Sequence, residues 1–357
     1  GSALRAAMKG GGFYNRHSGW QQAVQDVMYA HIVRCAQSCP LPPQGSGRCW
    51  RLADLGCSQG KNSMAPVGAV LREVRAREPS LPASVLHTDL PDNDFSALFH
   101  VLLGEDSYTR SFDDAHASAL GRSYYERLVP AGELHMLLAF VTLHWLHRAP
   151  DWGGEAWNQW HRAVTPAVLE ASRRDASEAL CRFLDLRAAE CVPGAKLVLS
   201  MVATDDDGEL ACPVPIAFFM DILDELVAEG SISRSTVSEI ALPVYCRREQ
   251  DLRATLELPE VQANFSVDAV QFDYVRHPVE VQYDAGEVGW EAVVDAIVGG
   301  MIAIWEPTVL APFQDADQRG ILQQELPLRL RAKVLPLAGE KGVGFSWHHM
   351  FAVLTRR

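Results

Sequence analysis

Cys49-Trp50-Arg51-Leu52-Ala53-Asp54-Leu55-Gly56-Cys57-Ser58-Gln59-Gly60-Lys61-Asn62 is the stretch whose reading decides the fold. A short apolar run ends in Asp54, two glycines follow four positions apart, and a helix-forming segment begins near Asn62. The pattern predicts a strand, a tight glycine turn and a helix. That layout lets backbone approach a nucleoside-type ligand at the C-terminal end of a parallel strand. Two glycines alone leave two readings open, an ordinary turn between strand and helix or a cofactor loop. A nicotinamide-type G-x-G-x-x-G is absent, because Cys57 and Ser58 follow Gly56. A phosphate-binding P-loop also fails: the glycine spacing is one residue short, and Asn62 stands where Ser or Thr is required.

Outward from that stretch, strands and helices alternate. Gln21 to Ala36 carries Val24, Val27, Met28, Ile32 and Val33 at helical spacing, and the Pro and Gly residues of 40–47 end it. Ser84 to His87 reads as a second strand ending in Asp89, with acidic residues opening the next helix. Asp89 lies where a carboxylate would meet a ribose, or where it would merely cap a turn. Residues 121–130 read as a polar loop with aromatics, 134–141 as a strand, Trp152 to Trp160 as a helical stretch, and 196–202 as a further strand. This alternation argues for a parallel α/β sheet. Later, 219–226 reads as an amphipathic helix, 245–257 as a charged helix, 265–283 as strand-like, 290–310 as a long apolar helix, and 336–357 as leading into a last strand. A helical insertion late in an α/β chain suits a lid over the strand ends.

The chain has 357 residues, 48% of them hydrophobic and 22% charged, an ordinary globular balance. Its net charge of −13 argues against nucleic-acid and anionic-membrane surfaces, which need clustered Lys and Arg. No apolar run approaches the ~20 residues of a membrane span, and no secretory apolar segment is evident. The eight cysteines form no C-x-x-C pair, so free thiols in a reduced cytoplasm are the expectation. Gly1-Ser2 is set aside from the fold reading.

The ordered set of segments resembles the SABATH family of S-adenosylmethionine-dependent methyltransferases, which includes salicylate, benzoate and jasmonate carboxyl methyltransferases and caffeine-pathway N-methyltransferases. The matching segments are 8–11 with Tyr14, Ser18 and Gln21; 53–62; 89–95; 123–130; 143–146; 229–232 with 242–245; and 305–313. The resemblance implies a Rossmann-like class I methyltransferase sheet with a mainly helical cap. It would place the core in 1–212, 243–275 and 336–357, and the cap in 213–242 and 276–335. It implies S-adenosylmethionine contacts at Tyr14, Ser18, Asp54, Gly56, Asn62, Asp89, Leu90, Ser123 and Tyr124. It implies an acceptor site at Gln21, His144, Trp145 and Ile216, with Gln21 and Trp145 clamping the carboxylate. Asp89 would accept from both ribose hydroxyls, and Asp54 would hold the ammonium end directly or through water.

The activity implied by the resemblance is methyl transfer to the carboxylate of a small aromatic or apolar acid, with no general base. The alternative is transfer to a ring nitrogen of a small heterocycle. A homodimer is expected on the same ground. Departures stand out: His17 replaces the family's usual Asn, Val141 a Tyr seen in many members, and Ile216 a Trp of the salicylate type. Ser238, Ile240 and Ala241 replace the Asp, Phe and Asn of a magnesium site in some members, so no metal is expected.

Overall fold

The computed structural model describes residues 7–154 and 156–357. Seven strands form one sheet: β1 (Trp50–Leu55), β2 (Ala83–Asp89), β3 (Ala115–Gly121), β4 (Leu134–Ala139), β5 (Cys191–Ala203), β6 (Phe265–Val275) and β7 (Trp347–Arg356). Their order is β3-β2-β1-β4-β5-β7-β6. The first five run parallel, and β7 pairs antiparallel with both β5 and β6. The sheet is therefore mixed rather than wholly parallel, as the alternation alone had implied. Strand order reverses between β1 and β4, and the crevice at such a switch point is where open α/β sheets bind ligands.

The central strands β1 and β4 bury both faces, so their sequences read as nearly continuous apolar runs. Period-2 alternation still divides the side chains between two cores. Met136, Leu138, Val198, Phe351 and Val353 belong to one cluster. Leu137, Ala139, Leu197, Leu199, Met350, Ala352 and Leu354 belong to the other. Helices Gly19–Ser38 and Met64–Arg77 supply the first face. Helix Pro166–Glu190 supplies the second.

Helices Val214–Ala228, Trp290–Leu310 and Ala316–Val334 pack on one another and extend the first cluster beyond the sheet. Trp290–Leu310 comes nearer to a membrane-spanning composition than the sequence pattern suggests, and it is the single such helix among the described residues. Its most apolar window is 72% buried inside the protein, which accounts for that composition. Gly299 on this helix permits a close approach: a Cβ there would collide with the His17 imidazole of the N-terminal segment.

Several sequence expectations need correction. Residues 151–154 and 156–165 are turns and irregular chain, not a helix, because Gly153 and Gly154 take left-handed dihedrals there. The strand expected over 265–283 stops at Val275, where Pro278 opens a short helix, Pro278–Asp284, capped by His277. Small residues in Ala115–Gly121 hid β3.

Two buried imidazoles act as acceptors. His135 Nδ1 accepts from the Arg51 N–H (3.1 Å), and His277 Nδ1 from the Val279 N–H (3.1 Å). Burial, with the Arg51 charge adding at His135, lowers both from 6.5 to about 4. The folded-state values lie below the unfolded one, so protonation favours the unfolded chain. Stability is full above about pH 6.5 and falls as pH drops toward 4. Denaturant midpoints at pH 7.5 and 5 should differ in that direction. His277→Asn, which keeps an N-cap acceptor, should shrink the difference; an unchanged difference would remove His277 from the account.

Candidate active site

Three adjoining cavities lie over the C-terminal ends of β1, β2 and β4. One, of about 650 Å³, is walled by Trp20, Gln21, Trp145, Trp160, Trp305 and Trp347, with His144 and Ile216 also on its wall. A second, of about 570 Å³, is lined by Gly56, Ser58, Asp89, Leu90, Ser123, Tyr124 and Thr142. A third, of about 380 Å³, is lined by Gln25, Asp54, Gly56, Asn62 and Ser63. Tyr14 and Val141 line all three, Trp145 the first two, and Gln21 the first and third.

The glycine loop is stitched to the end of β2. Gly56 N–H and Cys57 N–H both donate to the Thr88 carbonyl (2.8 and 3.0 Å). Ser58 N–H donates to Asp89 Oδ2 and Leu90 N–H to Asp89 Oδ1, each at 2.7 Å. Asp89 is thereby held with its carboxylate oriented at the cavity rim. Gly56 has φ +75°, and a Cβ would collide with Thr142 Cγ2, so the loop needs glycine there for both conformation and room.

Asp54 is 4% exposed, and its Oδ2 already accepts from Ser63 Oγ (2.5 Å) and from His87 Nδ1 (2.8 Å). His87 Nε2 in turn meets the Tyr108 hydroxyl (2.8 Å). Burial first, and the Asp54 charge second, push the Tyr108 hydroxyl up, so it stays protonated and donates. An ionised carboxylate only accepts, so His87 carries its proton on Nδ1. Asp54 lines the third cavity with one oxygen already committed to the protein.

The N-terminal segment 7–18 forms a strap over the site. Gln59 Nε2 donates to the Lys9 carbonyl (2.7 Å), Asn15 Nδ2 to the Gln59 carbonyl (3.1 Å), and Lys61 Nζ to the Asn15 carbonyl (3.0 Å). Asn62 Nδ2 donates to the Ser18 carbonyl (3.3 Å). Ser18 is buried behind the third cavity rather than on its wall, its hydroxyl donating to the Asn15 carbonyl (3.4 Å). On the cap side, Lys9 N–H donates to the Ala303 carbonyl (3.0 Å), and Lys9 Nζ pairs with buried Glu306 (2.5 Å). Burial and the Asp89 charge raise Tyr14 above its ordinary value, so its hydroxyl is a donor, not a base.

Two buried arginines shape the remaining loops, and no sequence pattern singles them out. Arg187 donates to the Tyr124 and Glu126 carbonyls (2.8 Å each) and pairs with Glu190 (2.9 Å), which accepts from the Leu128 N–H (2.6 Å). Arg247 donates to the Leu143 and Ala176 carbonyls (2.6 and 2.5 Å). They fix 124–128 and 143–145, the segments that carry Tyr124 and Trp145. Tyr124 Oη donates to the Thr142 and Trp145 carbonyls (3.0 and 3.2 Å), so its ring, not its hydroxyl, is offered to the second cavity. Val141 has φ +54°, a strained conformation for a β-branched residue that costs about 1–3 kcal/mol. Its N–H donates to the fully buried Ser200 Oγ (2.9 Å), which holds it there. His144 Nδ1 faces the Val202 N–H (3.5 Å) from the wall of the first cavity.

Residues 5–317 match the model of the SAM dependent carboxyl methyltransferase family. The chain is 30% identical over 230 residues to gibberellic acid methyltransferase 1 of Arabidopsis thaliana, across 58% of this chain and 61% of that protein. It is 29% identical over 325 residues to indole-3-acetate O-methyltransferase 1 of Oryza sativa subsp. japonica, across 80% of this chain and 79% of that one. The solved structure of a loganic acid methyltransferase with SAH covers 98% of both chains with TM-score 0.79 at 23% identity, a likeness of fold. Removing an oriented carboxylate that accepts two charge-assisted hydrogen bonds weakens binding by roughly ten- to a hundredfold. Asp89→Ala should lose that much S-adenosylhomocysteine affinity by calorimetry, with the sheet intact by circular dichroism; unchanged affinity would show that Asp89 does not hold the cofactor. The crevice at the strand-order reversal, the mixed seven-stranded sheet and the match over residues 5–317 make this chain a member of the S-adenosylmethionine-dependent carboxyl methyltransferase family.

Proposed function

We propose that this chain transfers a methyl group to the carboxylate of a small aromatic or apolar acid, yielding a methyl ester. The observation that carries the reading is the make-up of the first cavity: an aromatic wall without a Lys, Arg, Asp or Glu, and Gln21 at its boundary with the other two cavities. Gln21 is 4% exposed, and its Oε1 has no partner among the described residues. Oε1 only accepts, so toward a carboxylate the Gln21 Nε2 amide would be the donor, with Oε1 left for a donor on the acceptor molecule or the cofactor.

The second and third cavities fit the family's cofactor. Asp89, oriented by two amides, would take the ribose hydroxyls. Ser123 and the ring of Tyr124 would border the adenine, and Leu90 would pack beside it. Asn62, Asp54 and Tyr14 would surround the amino-acid end, with Ser18 acting through its carbonyl on Asn62. Bound S-adenosylmethionine supplies an already activated methyl group.

The protein's own part is positioning. A carboxylate is ionised at neutral pH, so no base is required. The Gln21 amide and the Trp145 indole would orient it with neutral donors, leaving its charge free to attack. Tyr14 and Val141, common to all three cavities, would set the line between acceptor and donor. Strap and cap exclude water, which a displacement between aligned groups favours. Ile216, in place of a large aromatic, leaves the far wall roomier.

Gln21→Ala and Trp145→Ala should each lower kcat/KM roughly a hundredfold, a loss clearly larger than any they cause in S-adenosylhomocysteine affinity, since each also borders a cofactor cavity. Equal losses in both readouts would put these residues in the cofactor site. Product labelled from methyl-labelled cofactor should be released by mild alkali as an ester is; base-resistant label would favour an N-methyl product instead.

A further inference from the structure

Trp160, on the wall of the first cavity, carries a second polar group that the carboxylate reading does not use. Trp160 Nε1 is buried and has no hydrogen-bond partner among the described residues, and Trp160 lines this cavity alone. Trp20, on the same wall, differs: its Nε1 donates to the Val275 carbonyl at 2.9 Å. The Trp160 position is built rather than incidental. Its backbone N–H donates to Asn158 Oδ1 (2.8 Å), and fully buried Asn158 turns its amide toward Met220 Sδ (3.5 Å). The residues shared with the cofactor cavities are Met8, Tyr14, Gln21, Val141 and Trp145, so the reacting end lies with them and Trp160 belongs to the remainder.

An indole N–H only donates. Buried without an acceptor it costs free energy, and a ligand atom that accepts from it recovers that cost. No Lys or Arg lines the cavity, so a second carboxylate would arrive desolvated and uncompensated. The accepting atom is therefore a neutral oxygen. Resting on the carboxylate reading above, we propose that the acceptor is an oxygenated apolar monoacid, with a hydroxyl, ether or carbonyl oxygen remote from its carboxylate, and that Trp160 Nε1 donates to that oxygen as a specificity-determining contact.

The test uses matched pairs of phenyl- and cyclohexyl-alkanoic acids, each with and without one remote hydroxyl, methoxy or keto oxygen, and a dicarboxylate of similar length. Two readouts are taken on the full chain: methyl transfer, and calorimetric binding to the protein loaded with S-adenosylhomocysteine. Wild type should prefer the oxygenated member of at least one pair by about tenfold and reject the dicarboxylate. Trp160→Phe, which keeps an aromatic ring and removes the N–H, should erase the preference, so that the oxygenated acid loses about tenfold more than its unoxygenated partner. S-adenosylhomocysteine affinity and the thermal midpoint of the variant report its folding. Absence of any preference in wild type overturns the proposal, as does an equal loss on both members of every pair in Trp160→Phe. Acids that bind and discriminate but yield no base-labile product would overturn the carboxylate reading while leaving Trp160 its role. Binding of no acid at all would overturn both.

Discussion

One turn of backbone holds the site together: the loop between β1 and its following helix, clamped onto the end of β2. Gly56 and Cys57 share the Thr88 carbonyl, Ser58 donates to Asp89, and Asn93 Nδ2 donates back to the Ser58 carbonyl (2.7 Å). Ser58 itself sits at φ +47°, so the loop is held in a conformation its own sequence does not favour. The same loop then sends Gln59, Lys61 and Asn62 outward to fasten the strap. A single element thus orients the Asp89 carboxylate at the second cavity and positions the strap over the first. Disturbing the clamp would loosen both, because most of the strap's polar anchors lie on that loop, with others on Asp94 and the cap helix.

The sequence carries this core plainly and the rest unevenly. β1, the glycine turn and the long apolar helix 290–310 are legible because local pattern and tertiary role agree. Asp89 is legible as a position, but its two competing readings turn out to be compatible: it accepts from turn amides and still faces the cavity. Asp54 is read less well, since its commitment to Ser63 and His87 depends on residues that only the fold brings near. Ser18 is drawn to the site by its segment, yet contributes its carbonyl rather than a wall. The tryptophans of 152–160 suggest helical spacing, but glycines at 153 and 154 and the turn at Asn158 fix an irregular path. Arg187, Arg247 and Ser200 leave no local signal at all. Each satisfies backbone carbonyls or amides of loops distant in sequence, and such pairings have no period.

Those buried arginines explain how irregular chain can be placed as firmly as a strand. Burial lowers both guanidinium groups from their ordinary value, which marks a desolvation cost. Carbonyl oxygens and, at Arg187, the Glu190 carboxylate offset it, and the geometry of the planar fork fixes which carbonyls can be used. Loss of one arginine would strand several carbonyls at once, so these positions constrain the loops more than their own sequences do.

The first cavity follows the opposite logic. Its ionisable groups are kept neutral: burial raises Tyr14 and Cys246, and the strap's Lys9 ammonium is paired with buried Glu306 rather than turned into the cavity. A cation there would hold a carboxylate more tightly but would lower its energy as a nucleophile, gaining ground-state binding at the expense of rate. Neutral donors on an aromatic wall orient an anion while leaving it reactive, and they suit the displacement chemistry of the family. The same neutrality makes each unpaired N–H or carbonyl oxygen on such a wall a selective element, because a ligand that fails to pair with it leaves a buried dipole unsatisfied. Specificity in such a site rests on a few dipoles, and Gln21 Oε1 and Trp160 Nε1 are buried polar atoms of its lining residues without a partner among the described residues.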